Sequence, residues 1–459
     1  MIQLDALGPH GPYRTRNRLT LVDVAGRQTA EMSLVPRLFV HRSLAALRAA
    51  ETLPVDDRVA ALTRAGHAFA SGAVGGLAAA DYQYQVSRLS GLPISIVRAA
   101  GEAIGAAAEE AYRSASYGRP AGAVSGWRDA LTRLGSAVWT RRGDVLAVHA
   151  AGNHPGAHVL WLQAVALGFR VAIRPSQREP LTPHRLVTAL RDAGFADDQL
   201  VLLPTDHTVA DELVRGADLA VVFGGDDVIR KYAASNSVLP HGPGRSKLLL
   251  GKDADWHRHL DTLVDSISRQ GGTACLNATA VFVEGDPAAV AAALAEKLAV
   301  LPSLAPEDDK AVLPVQSAPA AVALEGFLFD HVGDAVPRLG GDGIVDELSD
   351  GSAVLRPAVF QVPGPDAPQT RIELPFPCIW VAPWSPDAGI GPLKNTLVLT
   401  AITKDQALIE RLVDEPTIGN VYIGGHPTHR SRPGMPHDGY LSQFLMRTKT
   451  VIRECGPDE

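Results

Sequence analysis

The chain alternates between two kinds of hydrophobic pattern. Residues 37–116 are rich in Ala and Leu with few breakers, as in LFVHRSLAALRAAE and VDDRVAALTRAGHAFASG. Ala and Leu lose little on entering a helix, so this stretch is predicted to be mostly helical. Beyond it the apolar residues gather in short runs: GDVLAVHAAG (143–152), RVAIRPS (170–176), QLVLLPT (199–205), LAVVFGG (219–225) and SKLLLG (246–251). Between them lie HVLWLQAVALGF, TPHRLVTALRDAGF, TVADELVRGA and DDVIRKYAASN, which read as helices. Near-continuous apolar strands separated by helices of about ten residues predict a parallel, doubly wound α/β sheet, buried on both faces. Such sheets bind ligands beyond the carboxyl ends of their strands. Asn153, Arg174, Pro204 and Gly224 fall there.

A second α/β segment starts near residue 246, after a linker expected at 240–246 where PHGPGR collects Pro and Gly. TAVFVE (279–284) reads as a strand. GDPAAVAAALAEKLAVL follows as a helix, with Asp286 as N-cap and Pro287 at the first helical position. Residues 303–372 are rich in Pro, Gly and Asp and are expected to form loops and short elements. TLVLTAITKDQALIERLVDE (396–415) is a further strand–helix unit, and GNVYIGG (419–425) a further strand. The tail after Gly425 is polar and turn-rich and ends in a short apolar strand.

Composition narrows the classes. The 459 residues allow about three domains of roughly 150 residues each. Hydrophobic residues at 46% exclude a wholly disordered chain, and a net charge of −7 lacks the footprint of a nucleic-acid binder. Three cysteines, Cys275, Cys378 and Cys455, cannot form a disulfide framework, and no paired spacing points to structural zinc. His257, His259, His426, His429 and His437 invite a metal reading, but no ligand pattern accompanies them and no metal is expected. The N-terminal MIQLDALGPHGPYRTRNR has no apolar core behind a basic start, so no secretory signal is expected. Apolar runs such as Val159 to Leu167 are far shorter than the roughly 20 residues of a membrane span. A cytoplasmic enzyme with reduced thiols is the expectation, with no membrane or nucleic-acid partner.

One cysteine stands in a chemically suggestive context. Cys275 lies in SRQGGTACLNATAVFVE, behind Gly271, Gly272, Thr273 and Ala274, which let a backbone approach a ligand closely. A thiol at a loop-to-strand junction can be activated as a thiolate, although a lone Cys is more often a small buried hydrophobe. Cys378, after Pro377 in a predicted strand, is expected in the core, and Cys455 is expected to be inert.

Six segments in order resemble the aldehyde dehydrogenase superfamily, over about residues 20–453. They are LTLVDVAGRQTAEMS, AVHAAGNHPGAHVLWLQAVALGFRVAIRPSQREPLTP, ADLAVVFGGDDVIRKY, QGGTACLNATAVFVE, ELPFPCIWV and LVLTAITKDQALIERLVDEPTIGNVYIGG. The resemblance implies an α/β fold of aldehyde dehydrogenase type: a Rossmann-type doubly wound cofactor domain, a second α/β catalytic domain and a small oligomerisation flap. It implies a dinucleotide-binding domain over 1–245 with the flap near 130–145, a catalytic domain over 246–425 and an oligomerisation tail over 426–459. It makes Cys275 the nucleophile and Asn153 the oxyanion donor. It assigns Arg174, Ser176, Gly224, Gly225, Glu373 and Phe376 to the cofactor, with Glu373 on the nicotinamide ribose and Phe376 near the ring.

Departures from the family pattern carry the finer expectations. Hydrolytic members use a Glu in "E-L-G-G-K" to activate water; HGPGRSKLLLGKDAD places His241 there instead. Without that carboxylate, resolution of the acyl-enzyme by a thiol is expected, as in the CoA-acylating and acyl-CoA reductase branches. His241 could also serve as a base, since its ordinary pKa lies near neutrality. The family's "K-P-S" lysine is Arg174, and the acidic residue that often follows is Gln177, with Arg178 beside it. Loss of a carboxylate and gain of a cation favour a 2′-phosphate, hence NADP(H) over NAD(H). The expected reaction is reduction of an acyl thioester, on CoA or an acyl carrier protein, to an aldehyde, or its reverse. Alternatives are a hydrolytic aldehyde dehydrogenase, and a non-catalytic dinucleotide-binding member of the fold. A homodimer or homotetramer is expected, built by sheet extension through SAVWTRRG (136–143) and an unpaired terminal strand LMRTKTVIR (445–453).

Overall fold

The computed structural model describes residues 1–432 and 434–454. Four of the predicted parallel strands share one sheet with a fifth that was not predicted, Val238–His241, in the order Val238–His241, Leu219–Phe223, Val145–His149, Arg170–Arg174, Leu200–Leu202. The hairpin Ala6–Gly8 and Gly11–Tyr13 extends it, antiparallel at Leu7 and Leu202. Alternation along each strand feeds two cores. Leu146 and Val148 pack with Leu162, Leu186 and Phe69 on one face. Val145 and Ala147 pack with Val40, Leu44 and Leu213 on the other. Chain order reverses between Val145–His149 and Leu219–Phe223. That reversal opens a crevice beyond their carboxyl ends.

A second sheet runs Val336–Leu339, Ala358–Gln361, Cys378–Pro383, Ala278–Val283, Ser246–Leu250, Thr396–Ile402, Ile418–Ile423. All neighbours are parallel except the first pair. The helix Pro287–Ala299 begins as expected: the Asp286 carboxylate accepts from the N–H groups of Ala288 and Ala289. The amino ends of this sheet's strands face the carboxyl ends of the first sheet. The candidate site lies between them.

Three expectations need correction. The linker is shorter than 240–246, because Val238–His241 is an edge strand paired with Leu219–Phe223, His241 opposite Phe223. Residues 303–372 are more ordered than their composition implied. They hold the helix Ala318–Val332 and a small sheet of Val315–Ser317, Ser352–Leu355 and Val345–Glu347. The Pro in that helix sits at its first turn, where no hydrogen bond is lost. Finally, the terminal strand is not unpaired. Met446–Val451 runs antiparallel to Ser136–Arg141 of its own chain, from Met446–Arg141 to Val451–Ser136, and Ala123–Val124 completes the flap. Among the described residues, no helix is long and apolar enough to cross a membrane.

Candidate active site

A cavity of about 2170 Å³ opens between the two sheets, with Cys275, Asn153, Glu373, Arg174, Arg178 and His437 on its wall. Cys275 is partly buried and its thiol is free.

The loop before Cys275 is built to a tight tolerance. Gln270, Gly271 and Gly272 take φ of 57°, 68° and 66° in succession, a left-handed run that curls the chain back on itself. A Cβ on Gly272 would lie 2.4 Å from the nitrogen of Pro377, so that position has no room for a side chain. A Cβ on Gly244 would lie 1.8 Å from the Cys275 carbonyl oxygen. That oxygen accepts a hydrogen bond from Ser246 Oγ at 3.0 Å. Asn277, only 4% exposed, ties the loop from within. Its Oδ1 accepts from the Ala274 N–H at 3.0 Å, and its Nδ2 donates to the carbonyls of Arg269 at 2.7 Å and Ser266 at 3.2 Å. Asn153 crosses from the first sheet and donates through Nδ2 to the Thr273 carbonyl at 2.9 Å. The amide has a second hydrogen to offer.

The thiol's hydrogen-bond partner comes from the tail. Cys275 Sγ lies 3.4 Å from His437 Nε2, across 162 residues of sequence. His437 Nδ1 is 3.1 Å from Asp438 Oδ1, and Asp438 Oδ2 is 2.7 Å from His241 Nδ1. His241, 6% exposed, ends the edge strand and stacks on Phe223 with ring centroids 5.0 Å apart. The position expected to hold a base thus holds an imidazole one step removed from the sulfur. Burial opposes charge on His437, but Asp438 and the sulfur outweigh it and raise the imidazole to about 10. Burial likewise opposes charge on Asp438, yet hydrogen bonds from both imidazoles hold its carboxyl well below the usual range. Donor atoms of His241, His437 and Asp438 lie within 4.8 Å of one another. In this arrangement the facing atoms hydrogen-bond to each other, so we read them as a relay and not as metal ligands.

Towards the crevice of the first sheet the wall becomes cationic. Arg174 Nε donates to Thr205 Oγ1 at 2.9 Å. Ser176 Oγ accepts from the Arg178 N–H at 3.2 Å, and the Arg178 side chain is exposed. A Cβ on Gly225 would meet nothing within 4 Å, leaving the wall open there. A Cβ on Gly224 would lie 2.3 Å from Val228 Cγ2, so glycine lets the following helix pack closely. Glu373 Oε2 accepts from the Arg245 N–H at 2.8 Å. Burial pushes the Glu373 carboxyl above its ordinary value, with Arg245 pulling against it. Two guanidinium groups, a hydroxyl and a carboxylate on one open wall fit a dinucleotide: cations for phosphate, carboxylate for ribose hydroxyls.

Phe376 is a correction. Its ring is 1% exposed and belongs to the core with Phe360, Trp380 and Trp384, not to the cavity wall. Its backbone is what meets the site, packed against Gly272. Sequence reasoning assigned no part in the chemistry to Asn277, Ser246, His437 or Asp438. Asn277 carried one signal, two residues beyond the cysteine; His437 and Asp438 carried none beyond adjacency in a turn-rich tail. Cys378 is buried, as expected. Cys455 lies outside the described residues.

Residues 145–448 match the model of the family described as the aldehyde dehydrogenase family. The chain is 27% identical over 169 residues to malonate-semialdehyde dehydrogenase 2 of Bacillus mycoides (strain KBAB4); the match covers 35% of each chain, so it spans about a third of that relative's length. Among solved structures it is similar to an indole-3-acetaldehyde dehydrogenase complexed with NAD+ (TM-score 0.83, 17% identity, 98% of this chain and 96% of that one). It is also similar to an NADP-dependent enzyme of E. coli (TM-score 0.82, 14% identity, 98% of each chain). At these identities the structural likeness carries the fold.

Proposed function

Because the chain belongs to the aldehyde dehydrogenase family, we propose that it is an NAD(P)-dependent oxidoreductase that interconverts an aldehyde and an acyl thioester through Cys275. The observation that supports this most is the cavity itself, which joins a free thiol, the Asn153 amide and a dinucleotide-compatible wall in one space. Bound NAD(P) supplies the acceptor or donor of hydride. The protein's residues do the rest. Cys275 Sγ bonds to the carbonyl carbon, and the C=O electron pair moves to oxygen. Asn153 Nδ2 and the Cys275 N–H would be the donors to that oxyanion; losing one such donor typically costs about 10²–10³ in rate. Arg174, Ser176 and Arg178 would hold phosphate, and Glu373 the ribose beside the reacting ring. Arg178 with the neutral Gln177 favours NADP(H).

In this reading a thiol, of CoA or an acyl carrier protein, resolves the acyl-enzyme. No carboxylate occupies position 241, and Asp438 is held by two imidazoles. A hydrolytic reading is supported by His437, since an imidazole 3.4 Å from Sγ can also activate water. Aldehyde and NADP+ supplied with and without CoA separate the two. Acyl-CoA formation that depends on CoA supports the thioester reading. Brisk acid formation unchanged by CoA supports hydrolysis. Absence of turnover with every aldehyde and acyl thioester tried, in the parent as in Cys275→Ala, removes the enzymatic reading.

A further inference from the structure

We propose that His437 is the general base of this site, with Asp438 and His241 as its positioning residues. The inference rests on Cys275 as nucleophile and asks what moves the protons.

Four groups form one line of contacts. Sγ of Cys275 meets Nε2 of His437 at 3.4 Å, Nδ1 of His437 meets one oxygen of Asp438, and the other oxygen meets Nδ1 of His241. An Nδ1–H given to Asp438 fixes the ring's orientation and aims Nε2 at the sulfur, where it holds the proton taken from the thiol. The second imidazole anchors the carboxylate. His241 is itself stacked on Phe223 and buried. The backbone of His437 is held too, because Asn420 Nδ2 donates to its carbonyl. A nucleophile, a base in hydrogen-bond reach, and a third group orienting the base are the elements of activated covalent catalysis. Among the described residues, Cys275, Asp438 and His241 are charged or titratable groups that meet His437. One anionic carboxylate serves two imidazoles, which explains why a base can sit here without a Glu at position 241.

The proton steps balance. His437 Nε2 takes the thiol proton, giving thiolate and imidazolium. The S–C bond forms and the carbonyl pair moves to oxygen; NAD(P)+, when bound, would accept the hydride that leaves the carbon as the C=O re-forms. The acylated sulfur then carries no charge, so the imidazolium loses that partner and releases its proton to solvent. The free Nε2 accepts the proton of the incoming thiol or water as that group bonds to the acyl carbon. The C–S bond to Cys275 breaks, and its electron pair returns to sulfur.

Alkylation of Cys275 by iodoacetamide tests this without any substrate. Peptide-resolved mass spectrometry reads Cys275 apart from Cys378 and Cys455. In His437→Gln, alkylation at pH 7 slows about ten-fold and its pH profile moves upward. Asp438→Asn moves it the same way by less. In His437→Ala, added imidazole restores the rate, which a misfolded variant would not allow. Turnover of a productive aldehyde or thioester falls about 10²–10⁴-fold in His437→Gln. An unchanged alkylation rate and pH profile in His437→Gln, or no imidazole rescue of His437→Ala, overturns the proposal. If the parent turns over nothing but its alkylation depends on His437, the proposed function fails and the Cys275–His437 pairing stands.

Discussion

Asn277 offers a sharp test of how the nucleophile loop is held. Asn277→Ala removes an acceptor from the buried Ala274 N–H and donors from the Arg269 and Ser266 carbonyls, at 3.0, 2.7 and 3.2 Å. A hydrogen bond of ordinary geometry contributes about 1 kcal/mol net, and an orphaned buried N–H costs roughly 1–3 kcal/mol. The losses overlap, so the expected destabilisation is about 2–4 kcal/mol, a large share of a typical folding free energy. Function should suffer more than stability. The loop holds Gln270 at a positive φ and Gly272 against Pro377; with Asn277 gone the curl loses its ties to Ala274, Arg269 and Ser266 and keeps those from the Thr273 N–H and Oγ1 to the Gln270 carbonyl. A displacement of about 1 Å at the sulfur can cost about 10² in rate. Urea unfolding midpoints give the first quantity, and Cys275 alkylation and turnover the second. Asn277→Asp keeps the acceptor for Ala274 but loses both donors, so it should fall between. If Asn277→Ala unfolds within about 0.5 kcal/mol of the parent and keeps its turnover, the loop is held by something else and this reasoning fails.

Three further outcomes are expected. Arg178→Ala should raise KM for NADP(H) about ten-fold and leave NAD(H) nearly unchanged, by the 2′-phosphate argument; equal effects on both cofactors in steady-state kinetics refute the preference. Lys247 is buried with its ammonium donating to the Lys394 carbonyl, and burial pushes it down to about 7. The unfolded chain keeps that proton to about pH 10, so the group makes stability rise with pH above about 7, by about 1.4 kcal/mol per unit; Lys247→Met should flatten that rise in unfolding midpoints. Leu134 and Ile452 are 89% and 74% exposed on the flap, so Leu134→Glu should lower the mass seen by light scattering; a parent that is already a monomer refutes the flap as an interface.

The sequence made some of this legible and hid the rest for physical reasons. Strand and helix periodicity is local, so four of the first sheet's five parallel strands and the helices between them could be read directly. The edge strand Val238–His241 was missed because Pro240 argues against a strand; an edge, where its missing N–H faces no partner, tolerates it. The helix Ala318–Val332 vanished into the average of a Pro- and Gly-rich region. Phe376 shows a different limit. The position is adjacent to the site, but whether its ring points to the cavity or to the core is set by packing across the sheet. The His437–Asp438 pair marks the hardest case, because closing 162 residues onto one sulfur leaves no local trace.

That closure changes the argument made from the missing carboxylate. Position 241 carries no Glu, yet the site is not without a carboxylate: Asp438 arrives from the tail and meets the His241 that stands in its place. Its charge is spent on two imidazoles, so it is a poor proton acceptor in its own right. The base function passes to His437, whose Nε2 rather than a carboxylate oxygen meets the sulfur. A carboxylate base is ready at any pH above about 4–5, whereas an imidazole that has taken the thiol proton can take a second one only after acylation has removed its charged partner. Timing of this kind lets one residue serve both halves of the reaction. It also means that the absence of Glu at position 241 does not alone decide between thiol and water. What decides is which nucleophile reaches the acyl carbon beside Nε2.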